Sequence, residues 1–126
     1  MPATALVSSR DLSDDASVAR RQLAETLDEA GWRGDADGVL LAVHEAMVNS
    51  QRHAGGLTRA TARFDDGALV VEVWDRGGGF RMPRSKAAPD TLAERGRGLF
   101  LVRRLASDVE VARSGGEFGL LLRFEP

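Results

Sequence analysis

TARFDDGALVVEVW, residues 61–74, decides the fold class. Thr61–Phe64 and Ala68–Trp74 are β-prone runs, and Asp65-Asp66-Gly67 stands between them. Asp-Gly between two such runs is a strong hairpin signal, because the favoured tight turns hold their central residues at positive φ. The pattern recurs near the C-terminus, where VEVAR and EFGLLLRFE flank Ser114-Gly115-Gly116. Strands joined as hairpins favour a mostly antiparallel sheet.

Outward from the hairpins the periodicity changes. Ser13, followed by Asp14 and Asp15, predicts a helix N-cap with acidic residues in the first turn. Ala16, Ala19, Leu23, Leu27 and Ala30 then recur at helical spacing, and Gly31 supplies a stop. A second helix is expected over residues 35–54, with Val39, Leu40, Val43, Ala46 and Met47 as its apolar face and Gly55-Gly56 at its end. Residues 4–8, TALVS, predict a short edge strand. Residues 81–95 read as a loop with a short helix near 91–94, and RGRG opens a third helix over 99–106. The order is strand, helix, helix, hairpin, loop, helix, hairpin. It predicts an α+β fold, a two-layer sandwich with helices on one face of the sheet. One domain is expected over residues 1–126.

Composition narrows the function classes. Hydrophobic residues make up 43% and charged residues 29%, as in an ordinary globular domain. The net charge of −2 gives no global electrostatic case for nucleic acid. Cysteine is absent, which removes disulfides, thiolate metal sites and a cysteine nucleophile. No apolar run nears the ~20 residues of a membrane helix, and the N-terminus lacks the pattern of a signal peptide. A cytoplasmic location is expected.

Three stretches stand apart from this background. On the second helix, Glu45, Asn49 and His53 lie at i, i+4 and i+8, so they share one face. Asn49 offers a hard carbonyl oxygen suited to Mg²⁺, and Glu45 is placed to take a proton from a nucleophile. A polar helix flank would explain both residues as well, and His53 reads first as a structural histidine near the helix end. Asp75-Arg76-Gly77-Gly78-Gly79-Phe80 follows a strand directly. A carboxylate there can accept from the amino group of a planar base, and glycines beside it admit a ligand close to the backbone. An ordinary tight turn is the plainer reading. Gly96-Arg97-Gly98-Leu99 precedes a helix. Free N–H groups and the helix dipole would suit phosphate oxygens there, and a flexible loop end would look the same. A P-loop, a Rossmann fingerprint, the protein-kinase signatures and H-E-x-x-H are all absent.

Taken together, the three stretches resemble the motifs of one family. EAMVN resembles the N box, DRGGGF the first glycine box and GRGL the second glycine box of the gyrase, heat-shock chaperone, histidine-kinase and MutL ATPase superfamily. Within it, the chain resembles the stand-alone anti-sigma factor serine kinases of bacterial partner switching, on the continuation of the N-box helix into His53-Ala54, the short lid and the compact length. The resemblance implies the Bergerat α/β sandwich, with ATP and Mg²⁺ as cofactors. It makes Glu45 the general base, Asn49 the Mg²⁺ ligand and Asp75 the acceptor for the adenine amino group. Gly77 and Gly79 would lie against adenine and ribose. Residues 81–95 would form the lid, and Gly96, Gly98 and Leu99 its hinge at the phosphates. Implied partners are a sigma factor, an anti-anti-sigma protein of the STAS type and a second copy of the chain. A nucleotide-binding regulatory module and a slow ATPase are the competing functions.

Overall fold

A computed structural model describes residues 9–53, 56–76 and 94–126. Five strands form one sheet in the order β1-β2-β3-β5-β4, antiparallel at every neighbouring pair. The strands are β1 (Arg10–Leu12), β2 (Leu57–Asp65), β3 (Ala68–Asp75), β4 (Asp108–Ser114) and β5 (Glu117–Phe124). The helices are α1 (Ala16–Glu29), α2 (Ala36–His53) and α3 (Glu94–Leu105). This is the expected α+β fold, compatible with a two-layer sandwich.

Both hairpins close as their turn residues dictate. Asp66 and Gly67 carry φ of 53° and 83°, and Gly115 and Gly116 carry 57° and 84°. Two consecutive positive φ values match the right-handed twist of the flanking strands. Side chains then alternate along the central strand β3. Leu69, Val71 and Val73 enter the main core with Leu120, Leu122 and Phe124 of β5. Burying such a side chain fully stabilises the fold by about 1.5–3 kcal/mol. Glu72 and Trp74 turn to the other face, where Arg59 lies 4.8 Å above the indole and Trp74 Nε1 donates to Glu72 Oε1 at 2.9 Å. Gly119 sits across from Trp74, and a Cβ there would meet the ring at 2.7 Å.

The helices close the core from one side. Asp15 caps α1, its Oδ1 accepting from Ser17 N at 2.9 Å and Val18 N at 3.1 Å. Ser13, the expected cap, instead accepts from Asp15 N through its hydroxyl and stands before the helix. Ala19, Leu23 and Leu27 form the buried stripe of α1. Arg10 ties β1 to that helix, donating to Gln22 O at 3.0 Å and Thr26 Oγ1 at 2.8 Å. On α2, Asp35 Oδ1 accepts from Gly38 N at 3.0 Å at the helix start. Val39, Ala42, Val43, Ala46 and Met47 are its buried face. That face lies on β2, β3 and β5, with α1 and α3 packed beside the helix.

Two boundaries depart from the sequence reading, and two expected segments lie outside the described residues. The expected edge strand at 4–8 lies outside the described residues, and the observed edge strand is Arg10–Leu12. β2 starts at Leu57, earlier than the hairpin signal suggested, with an irregularity between Leu57 and Arg59. α3 starts at Glu94 and so takes in Gly96 and Gly98, residues of low helix propensity. Leu99, Val102 and Ala106, all buried, explain why packing overrides that propensity. The loop expected over 81–95 lies outside the described residues up to 93.

Candidate nucleotide site

The expected stripe on α2 is present. Glu45 and Asn49 stand one turn apart, and His53 closes the helix. Asn49 is buried, 5% exposed, on a helix whose buried residues are otherwise apolar except for Ser50. Its Nδ2 donates to the carbonyl oxygen of Glu45 at 2.9 Å. Only the amide nitrogen can make that bond, so the side-chain carbonyl is turned the other way as an acceptor. An amide oriented by a backbone bond, one turn from a partly buried Glu45, is therefore a property of this helix.

Asp75 ends the central strand. It pairs in register with Leu57 on one side and Phe118 on the other. Its parity is that of Val71 and Val73, so its carboxyl group belongs to the helix-facing side, where it is 1% exposed. Arg76 N donates to Gly56 O at 3.3 Å, which joins the end of β3 to the segment between α2 and β2. The end of α2 and the end of β3 are thereby held at one end of the sandwich. Burying a carboxylate is costly unless the site supplies compensating contacts, and Asp75 is not without one.

The remaining expected residues divide. Gly77 and Gly79 lie outside the described residues. Gly96 falls in the first turn of α3, where helix geometry leaves its N–H without an intrahelical acceptor. Gly98 lies two residues further, within the hydrogen-bonded ladder. Leu99 is a core residue, 2% exposed, that anchors α3 to the layer beneath. Among the described residues no three His, Cys, Asp or Glu side chains converge as a metal cage. Two polar residues escaped the motif reading. Ser50 is fully buried and Thr58 Oγ1 is buried, and neither hydroxyl has a hydrogen-bond partner. A signal for Ser50 existed, since it falls at i+7 from Val43 and i+3 from Met47, on the apolar face.

An antiparallel sheet under three helices, with an Asn-Glu pair on the middle helix and a buried Asp ending the central strand, defines a class of nucleotide-binding sandwich. The chain belongs to the histidine kinase-like ATPase domain family, whose pattern it matches over residues 10–124. Membership implies ATP binding and ATP-using chemistry. A search of curated proteins finds no match to the chain. No helix among the described residues is long and apolar enough to cross a membrane.

Proposed function

We propose that the protein is an ATP-dependent protein serine kinase of partner switching. Its acceptor would be a serine on a STAS-type anti-anti-sigma protein, and its second partner a sigma factor that it holds when the first is phosphorylated. The observation that carries this reading is the Glu45–Asn49 pair, with Asn49 locked by the Glu45 carbonyl at 2.9 Å. An ATP site used only for binding has no need of a carboxylate beside its metal ligand.

Mg²⁺ fits the donor set. Asn49 supplies one neutral oxygen, and Mg²⁺ favours sites completed by water and phosphate oxygens over cages made wholly of protein. When bound, the ion would neutralise charge on the phosphates being transferred. Glu45 would accept the proton of the attacking serine hydroxyl. Asp75 would fix the adenine by accepting from its amino group, and Gly96 N–H would face the phosphates across the first turn of α3. Adding a phosphate places about −1.5 to −2 charges on the acceptor protein, enough to weaken its complex with the kinase.

The test is transfer of the γ-phosphoryl group from labelled ATP to a purified STAS-type protein drawn from the same host. Label on a serine of that protein, lost with Glu45→Ala while ATP affinity stays within a few-fold, is the expected result. Phosphate released to water at the same rate with and without every acceptor tried would overturn the kinase reading and leave an ATPase.

A further inference from the structure

A cleft lies in the seam between α1 and α2, at the opposite end of α2 from Asn49. Its walls are Ala24, Leu27 and Asp28 of α1 and Ala36 and Leu40 of α2, with Trp32 from the connection between them. Its volume is about 240 Å³, below the roughly 300–1,000 Å³ of small-molecule pockets. That size suits one apolar side chain of a larger partner. Leu41, 37% exposed, extends the apolar surface at the rim. Two polar atoms of this seam are buried without a hydrogen-bond partner, Trp32 Nε1 and His44 Nδ1. His44 stands one turn beyond Leu40 on the same stripe of α2. Buried polar groups are ordinarily satisfied. An indole N–H can only donate, so what Trp32 lacks is an acceptor.

The charges around the cleft select the partner. Asp28, Glu29, Asp35 and Asp37 are all exposed, and none has an ion pair among the described residues. From residue 22 to residue 51 the only Lys or Arg is Arg33. An acidic rim repels the phosphates of nucleic acid and of anionic lipid, and it attracts Lys and Arg. A helix with apolar side chains on one face and basic ones beside them matches both the cleft and its rim. The last turn of such a helix has free carbonyl oxygens and favours basic residues, so it also brings Trp32 an acceptor. We propose that the α1–α2 cleft docks a basic amphipathic helix of a partner protein. One apolar side chain enters between Leu27 and Leu40, while Lys or Arg residues meet Asp28 and Asp37. This surface is separate from the nucleotide site and does not depend on it.

The probe is a synthetic amphipathic helical peptide built of Leu and Lys, with a Leu and Glu peptide of the same pattern as control. Binding is measured by calorimetry, and by fluorescence in a Trp74→Phe background where Trp32 is the sole tryptophan. The Leu and Lys peptide should bind saturably and shift the Trp32 emission, and the control should not. The double variant Asp28→Lys, Asp37→Lys should keep the wild-type circular dichroism spectrum and bind the peptide about tenfold more weakly or less. Leu41→Ser should weaken binding several-fold. Asp108→Lys with Glu110→Lys, on the far edge strand β4, should leave it unchanged. No saturable binding, equal binding of the two peptides, or equal weakening by both pairs of reversals overturns the proposal. A dimer of the free protein, seen by light scattering and lost in Asp28→Lys, Asp37→Lys, would make a second copy the occupant and overturn it as well.

Discussion

Gly119→Ala tests whether the outer face of the sheet is as tightly built as its geometry indicates. A Cβ at this position would meet three atoms of the Trp74 ring at 2.7 Å. The ring has little room to yield, since Arg59 lies over it at 4.8 Å and its Nε1 is bonded to Glu72. Two effects oppose each other. Alanine reduces the freedom of the unfolded chain, which favours folding by about 0.4–1 kcal/mol. Overpacking a rigid ring costs about 1–3 kcal/mol. The clash wins by roughly 0.5–2 kcal/mol, a fall in melting temperature of about 2–10 °C for a domain of this size. Thermal denaturation followed by circular dichroism measures it. The cause is isolated by repeating the change in a Trp74→Val background, where the clashing ring is gone. There Gly119→Ala should be neutral or stabilising, a coupling that only touching residues show. Equal losses in both backgrounds would refute the argument from the ring.

Further outcomes follow from the caps and the site. Asp15→Ala removes an acceptor from two N–H groups of α1 and should cost about 1 kcal/mol, with Asp15→Asn near wild type by chemical denaturation. Asp75→Ala should retain the fold by circular dichroism and lose measurable ATP binding by calorimetry. Unchanged affinity would remove the adenine assignment. Chelating Mg²⁺ should weaken ATP binding by the wild type more than by Asn49→Ala, and equal weakening would take Asn49 out of the metal shell.

The parts legible in the sequence are those encoded by neighbours. Asp66-Gly67 and Gly115-Gly116 state their turns locally, and the stripes of α1 and α2 repeat at the helical period. The start of α3 was hidden because Gly96 and Gly98 disfavour a helix, and only the burial of Leu99 and Val102 against another layer outweighs them. The cap of α1 was placed on Ser13 and not on Asp15, because Ser and Asp suit a cap equally and only the bonds to Ser17 N and Val18 N tell them apart. Within the site, Glu45, Asn49 and Asp75 were readable as chemistry. Ser50 could be placed on the apolar face of α2 by its spacing, but its missing partner and that of Thr58 were not readable, since they depend on burial.

The sheet order has a consequence for how the molecule is made and altered. Each hairpin pairs strands that are adjacent in sequence, so each can form early from short-range contacts. β3 and β5 are different, because Asp75 pairs with Phe118 across the whole stretch that carries α3 and β4. Joining the two hairpins is the most non-local pairing in the sheet's centre, the kind of contact whose closure entropy slows folding. The closure cost grows only logarithmically, by about 0.6 kcal/mol for each doubling of length. The chain between β3 and α3 can therefore be lengthened, shortened or replaced in evolution at little thermodynamic cost.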